Sequence, residues 1–151
     1  MPELARSTES AQTEGFYARL GGKLGVPQIR SEAELASLVE KRLPASAIQA
    51  LVRGGLSDNE IYQLVVPRRT LTHRVASRQP LSQHESDRAV RVARITAMAE
   101  QIFGDPKRAW RWLRKPKRRF GGKSPLAMLT TEAGAHLVEE MIIQLEYGMA
   151  A

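Results

Sequence analysis

The chain has 151 residues, enough for one compact domain or two small ones. Its formal net charge is +7 and its pI is near 10.2, which favours an anionic partner such as a nucleic acid. It contains no cysteine, which excludes disulfides, thiolate metal sites and cysteine nucleophiles, and neither a signal peptide nor a membrane-spanning run is visible. We therefore expect a soluble protein of the cytoplasm.

The first segment, residues 1–30, is rich in serine, threonine, glutamate and glycine and has no hydrophobic periodicity. Such a composition buries too little apolar surface to offset the entropy that is lost on folding. We therefore predict a flexible N-terminal arm.

From residue 31 onward the sequence marks where helices begin. Three segments match the capping box, in which a serine oxygen accepts a backbone N–H and a glutamate three residues later reaches back: Ser31–Glu34, Ser57–Glu60 and Ser82–Glu85. Two more combine a capping residue with proline at the first helical position: Asp105-Pro106 and Ser124-Pro125. Glycines at 54–55, 104, 121–122 and 148 mark helix ends.

These signals predict an all-α fold. Apolar residues recur at helical spacing, strand alternation is absent, and the predicted helices cover residues 32–43, 45–54, 57–65, 68–78, 83–103, 106–115, 125–129 and 131–147. We divide the chain into the arm at 1–30, an N-terminal helix-turn-helix module at 31–102 and a small helical C-terminal module at 103–151. The last module is too small to bury a generous core alone.

Residues 57–78 have the layout of a helix-turn-helix. A capped helix is followed by a break at Val66-Pro67, and a second helix then presents polar and basic side chains while Leu71 and Val75 are expected to face inward. Arginine suits bidentate contact with guanine, and threonine methyls can meet the thymine methyl. The candidate DNA-binding residues are Arg68, Arg69, Thr70, Thr72, His73, Arg74 and Arg78. The alternative is an ordinary solvated basic helix.

The C-terminal module is divided by charge. Residues 104–123 contain nine lysines and arginines, and residues 124–151 contain none. Helical spacing favours Trp112 as a core residue and leaves Trp110 as an interface candidate, since tryptophan is enriched at binding hot spots. The alternatives for this basic run are a solvated charge cluster or a surface for single-stranded nucleic acid.

The last predicted helix carries an apolar face made of Leu137, Val138, Met141, Ile142 and Leu145. Gly134 lies inside this helix, where glycine costs about 1 kcal/mol relative to alanine. A glycine retained at such a position indicates the close approach of another backbone.

Residues 103–148 resemble the toxin-binding domain of the Xre/MbcA/ParS antitoxins, and residues 31–102 resemble the Xre-type helix-turn-helix region of the same family. One departure is Lys117, where the family often has asparagine. The resemblance rests on these residues: Phe103-Gly104, Ala109, Trp112-Leu113, Pro116, Gly121-Gly122, Ser124-Pro125-Leu126, Leu129, Thr131-Glu132, Gly134, Val138, Leu145 and Tyr147-Gly148.

The resemblance implies an antitoxin of a type II toxin-antitoxin system. Such a protein binds a RES-domain toxin that degrades NAD, covers the toxin's active site with its C-terminal end, and represses its own operon. An acidic, apolar end also suits a pocket whose cationic groups bind an anionic dinucleotide. The candidate toxin-binding residues are Trp110, Arg114, Arg118, Glu146, Tyr147, Gly148, Met149 and Ala151. A homodimer is expected, because two-fold operators are the usual targets of this motif.

Two other functions stay open at this point. One is a helix-turn-helix transcriptional regulator whose C-terminal module only dimerises. The other is an RNA- or nucleoid-associated binding protein that uses the tryptophan and arginine cluster. An enzyme has no support, because the sequence contains no catalytic motif. His73, His84 and His136 lack metal-ligand spacing, so we expect no metal site and no cofactor.

Overall fold

The computed structural model describes residues 2–26 and 29–150, and all the regular elements within them are helical, which confirms the predicted all-α fold. No helix in these residues has the length and apolar character needed to cross a membrane. The α-helices are α1 (Pro2–Leu24), α2 (Glu32–Lys41), α3 (Ser46–Arg53), α4 (Asp58–Leu64), α5 (Arg68–Ala76), α6 (Gln83–Phe103), α7 (Pro106–Arg114) and α8 (Glu132–Ala150). Short 3₁₀ helices at Arg118–Phe120 and Ala127–Thr130 connect α7 to α8.

The predicted capping boxes set the starts of three helices. Ser57 and Ser82 form complete boxes at α4 and α6, with both the serine oxygen and the glutamate carboxylate accepting backbone N–H groups. At α2 the box is only half made. The Ser31 oxygen accepts from the Glu34 N–H at 3.2 Å, while the Glu34 carboxylate accepts from the N–H of Arg30 at 2.6 Å.

The helix boundaries predicted in the C-terminal module have different outcomes. Asp105 caps α7 through the N–H of Lys107 at 3.0 Å, and Gly104 just before it adopts φ +69°, as a glycine that ends a helix does. The predicted stop at Gly148 is wrong, because α8 continues through it to Ala150.

The prediction of a flexible arm over residues 1–30 is wrong, since α1 occupies most of that segment. Leu20 and Leu24 in its second half are fully buried, and α1 packs on α3 and α6. The first half, residues 3–15, is exposed along its whole length. Its polar composition therefore carries no hydrophobic periodicity from which the helix could be predicted.

Helix α6 is the centre of the molecule. Helices α1, α2, α7 and α8 all pack against it, and small side chains such as Ala89, Ala93 and Ala99 are fully buried along its length. Small residues let neighbouring helix backbones approach closely. One continuous core runs from Leu20 to Ile142, so the helix-turn-helix region and the C-terminal module share α6 as a common wall.

A buried carboxylate links three of these helices. Glu100 of α6 is only 6% exposed. It accepts hydrogen bonds from the Lys23 ammonium at 2.8 Å, the Arg19 guanidinium at 3.2 Å and the Trp110 indole N–H at 3.1 Å. Because an unpaired charge is costly in a protein interior, this group ties α1, α6 and α7 together.

The two tryptophans differ from their predicted environments, since the predicted interface residue Trp110 is buried and the predicted core residue Trp112 is only partly buried. Trp110 is buried between α6 and the turn after α3, where a Cβ placed on Gly55 would lie 2.6 Å from the ring. Trp112 is half-buried beside Phe103, with ring centroids 5.7 Å apart. The indole N–H of Trp110 finds its buried acceptor in Glu100, a long-range partner that helical spacing does not reveal.

Helix α5 contains no buried residue, and an ion pair connects it to α6. Leu71 is half-buried, but the prediction that Val75 faces inward is wrong, because its side chain is 56% exposed. The Arg74 guanidinium donates two hydrogen bonds of 3.1 Å to Glu85 of α6. Burial works to raise the pKa of Glu85, but hydrogen bonds from Arg74 and Ser82 outweigh it and hold the pKa below its usual range.

We predict that this pair makes folding stability dependent on acid pH. A carboxylate whose pKa is lower in the folded than in the unfolded state stabilises the fold above the unfolded pKa, near 4.5, and loses that effect as the pH falls through the folded pKa. Urea unfolding followed by circular dichroism between pH 7 and pH 3 should therefore show a flatter acid limb in Glu85→Gln and in Arg74→Ala. Arg78→Ala is the matched control and should keep the wild-type profile. Identical profiles in all four proteins would contradict this role of the pair.

Gly134 lies where α8 begins, and its position confirms the predicted close approach. A Cβ built on it would lie 2.0 Å from the carbonyl oxygen of Met128 and 3.0 Å from its carbonyl carbon. The backbone of the preceding 3₁₀ turn thus occupies the space of the missing side chain.

We expect Gly134→Ala to lower the free energy of unfolding by about 1–3 kcal/mol, because the added methyl group forces backbone apart. The matched control is Gly22→Ala in α1, where a Cβ meets nothing within 4 Å. That substitution should leave stability unchanged or raise it by up to about 1 kcal/mol. Chemical denaturation of both variants gives the comparison, and a Gly134→Ala protein as stable as wild type would refute the packing argument.

Candidate functional site

The first turns of α5 form an exposed cationic surface. Arg68 and Arg69 stand at its N-terminus, and Thr72 and His73 follow on the exposed side. Arg78 lies just after the helix and is also exposed. These five predicted DNA-binding residues are available to a partner.

The two remaining candidates are less accessible. Thr70 is half-buried. Arg74 is occupied, because it donates to Glu85 as described and also to the Gln79 side chain at 3.2 Å. We therefore correct the interpretation of Arg74: it positions α5 on α6 instead of offering a free guanidinium to DNA.

A groove of about 800 Å³ separates α5 from α3. Its floor is apolar and includes Ile48, Val52 and Leu71, and the cations Arg53 and Arg78 stand among its lining residues. The groove explains the exposure of Val75, since nothing within the described chain covers that side of α5.

Helix α7 is bound to the start of α4. Arg114 donates to both carboxylate oxygens of Glu60, at 2.8 and 3.1 Å, and to the carbonyl of Gly55 at 2.7 Å. Its guanidinium also lies over the Trp110 ring, 4.7 Å from the centroid. Burial works to raise the pKa of Glu60, but hydrogen bonds from Arg114 and Ser57 outweigh it and lower the pKa. Arg114 therefore connects the C-terminal module to the helix-turn-helix.

A second groove, of about 590 Å³, lies between the end of α3 and α7. It is lined by the cations Arg53, Lys107 and Arg111 beside the Trp110 edge. Sequence analysis missed this site, because Arg53 is far from the other two in the chain. The only available signal was the spacing of Lys107 and Arg111, which places them one turn apart on α7.

The C-terminal turn of α8 projects from the fold. The Tyr147 side chain is 74% exposed, and Glu146 and Gly148 are exposed as well. The predicted apolar face of this helix is only partly buried, because Val138 and Ile142 lie in the core whereas Leu137 is 47% exposed. Of the predicted residues here, Ala151 and the Met149 side chain lie outside the described residues.

The basic loop after α7 reaches this end of the molecule. Arg119 donates to the side chain of Gln144 at 2.7 Å, and the neighbouring Arg118 is exposed. The predicted toxin-binding residues thus fall into two groups. Glu146, Tyr147 and Gly148 lie at the α8 end, and Arg118 is the neighbour of Arg119, which contacts α8. Trp110 and Arg114 are packed against the helix-turn-helix and are not part of that surface.

The histidines have no arrangement suited to a metal. Within residues 2–26 and 29–150, no three histidine, aspartate or glutamate side chains come together as a possible metal site. His136 lies 3.2 Å from Glu140 on the surface of α8.

Both halves of the chain match known protein families. Residues 34–94 match the Antitoxin Xre-like helix-turn-helix domain, and residues 98–148 match the Antitoxin Xre/MbcA/ParS C-terminal toxin-binding domain. The chain is 39% identical over 149 residues to "Antitoxin Xre" of Pseudomonas putida, a match that covers 97% of this chain and 94% of that protein.

Two further relatives are also named as antitoxins. "Antitoxin Xre" of Yersinia enterocolitica is 35% identical over 85 residues, 56% of this chain and 57% of the relative. "Prs ADP-ribosylating antitoxin" of a Sphingobium species is 24% identical over 132 residues, 80% of this chain and 83% of the relative. Since the similarity to the Pseudomonas protein extends over nearly the full length of both chains, this protein belongs to the Xre antitoxin family.

Proposed function

We propose that this protein is the antitoxin of a type II toxin-antitoxin system and works without catalysis of its own. It neutralises a RES-domain toxin that degrades NAD by covering the toxin's active site with the end of α8. It also represses its own operon by binding DNA through α5. The observation that carries the proposal is the division of exposed side chains, with cations on α5 and a carboxylate and an aromatic ring at the tip of α8.

The DNA-binding part is supported by the geometry of α4 and α5. The complete capping box fixes the start of α4, and the Arg74–Glu85 pair fixes α5 on α6. Arg68 and Arg69 then stand exposed at the N-terminal end of α5, the part of a recognition helix that reaches base edges.

The toxin-binding part is supported by the α8 tip. A large exposed aromatic side chain such as Tyr147 is costly to leave in water and is a frequent binding hot spot. Glu146 adds a carboxylate, and no lysine or arginine follows Lys123. An acidic tip complements the cationic groups that an NAD-binding pocket requires.

The comparison with the Sphingobium protein supports an NAD-consuming toxin. Its name refers to ADP-ribosylation, and ADP-ribosyl groups are transferred from NAD. We further propose that this antitoxin acts in the cytoplasm as a homodimer, since a two-fold dimer matches a pseudo-palindromic operator.

We expect Arg69→Ala to weaken binding to the DNA upstream of its own gene by about 1–3 kcal/mol and to reduce discrimination against a scrambled duplex. Arg118→Ala, which removes an exposed arginine from the loop after α7, is the matched control and should leave operator affinity unchanged. Fluorescence anisotropy with both duplexes measures the two effects. If Arg69→Ala binds the operator like wild type, α5 does not read the major groove in this manner.

Removal of residues 147–151 should abolish toxin neutralisation and leave operator binding intact, because Tyr147 and Gly148 are exposed and lie far along the chain from α5. Tyr147→Ala alone should weaken toxin binding by about 2 kcal/mol. The control is Val75→Ala, which removes another exposed apolar side chain from the helix-turn-helix. NAD consumption by the co-purified toxin, measured in the presence of each antitoxin, provides the readout. Full inhibition by the truncated chain would exclude the tip as the blocking element.

A further inference from the structure

The groove between α3 and α7 concentrates positive charge that the fold does not use. Arg53, Lys107 and Arg111 line it, all three are exposed, and none forms an ion pair or side-chain hydrogen bond with another described residue. Other arginines that face neighbouring helices, such as Arg74 and Arg94, are paired with glutamates. Cations gathered in one groove repel each other, so an anion bound there would be favoured.

We infer that this groove, defined by Arg53, Lys107 and Arg111, is a second DNA contact that binds the phosphate backbone of the duplex read by α5. The inference rests on the proposed function only in that α5 binds duplex DNA. The groove is assigned the sequence-independent part of the affinity, whereas α5 is assigned the base contacts.

Continuity with α5 favours the same duplex as the occupant. Arg53 ends α3 and lines both the α3–α7 groove and the α3–α5 groove, where Arg78 stands on the α5 side. A row of cations therefore leads from the end of the recognition helix, through Arg53, to the face of α7 that carries Lys107 and Arg111. Such a row follows a strand of phosphates, whose charge is spread along the duplex.

The groove is also held rigidly on the helix-turn-helix. Arg114 joins α7 to Glu60 and Gly55, and the buried Trp110 fills the space above Gly55. The helix that carries Lys107 and Arg111 is thus fixed relative to α4, so DNA binding has to order only these side chains and not the helix itself.

The aromatic rings beside the basic run disfavour single-stranded nucleic acid. One face of Trp110 is approached by Arg114 and the Lys23 ammonium lies 5.7 Å from its centroid, while Lys117 lies 5.1 Å from the centroid of Trp112. Stacking on bases requires a free aromatic face. A double-stranded backbone needs only the cations.

The test compares two triple variants of the full chain that remove the same amount of charge. One is Arg53→Gln/Lys107→Gln/Arg111→Gln. The matched control is Arg108→Gln/Lys115→Gln/Lys123→Gln, which removes three exposed cations that do not line the groove. Affinity for the operator and for a scrambled duplex is measured over a range of salt concentrations, and circular dichroism verifies that both variants fold.

We expect the groove variant to reduce the slope of log affinity against log salt by about 2–3 on both duplexes, because each phosphate that is no longer neutralised removes about 0.9 from the slope. Its preference for the operator should be retained. The control should change the slope by less than about 0.9, the value for a single phosphate. Equal slopes for the two variants overturn the inference. So does a groove variant that keeps its salt dependence but binds the toxin less well, because the groove then belongs to the toxin interface.

The Arg69→Ala variant separates this inference from the proposed function. Loss of operator preference in Arg69→Ala, together with an unchanged slope in the groove variant, would leave α5 as the DNA reader and remove the second contact. If the wild-type chain binds neither duplex, both proposals fail.

Discussion

The carboxylate of Glu100 is the group on which the arrangement of the helices depends. It is buried in α6, and its partners come from two other helices, with Arg19 and Lys23 in α1 and Trp110 in α7. A buried charge without such partners costs several kcal/mol. Helix α6 can therefore bury this residue only when α1 and α7 are both in place. This couples the N-terminal helix to the C-terminal module through a single side chain.

What the sequence predicted correctly is encoded locally. Ser57 with Glu60, and Ser82 with the glutamate three residues later, bring together a donor and an acceptor within one helical turn, so their pattern alone fixes where α4 and α6 begin. Gly134 belongs to the same class, since a glycine inside a helix signals that another backbone is near. The all-helical fold, the exposed cations at the start of α5 and the acidic tip of α8 follow from signals of this kind.

What the sequence did not predict depends on partners far along the chain. The burial of Trp110 is decided by Glu100 and Gly55, and neither is visible from the spacing of α7. The role of Arg74 is decided by Glu85 on the next helix, so an apparent DNA contact is in fact a structural pair. Helix α1 was missed because only its second half is packed. Composition thus located the candidate surfaces. Which of their residues are free to bind a partner could be decided only from the packing of the helices.

The contact between Gly55 and Trp110 has a consequence for exchanging domains between antitoxins. Gly55 has φ +130°, and its missing Cβ makes room for the indole of Trp110 in α7. Arg114, also in α7, binds Glu60. A chimera joined between residues 94 and 98, where the two domain matches meet, would separate these side chains from their complements. A functional hybrid therefore has to take Gly55, Glu60 and Trp110 from the same parent. No single crossover point between the two domains meets this requirement.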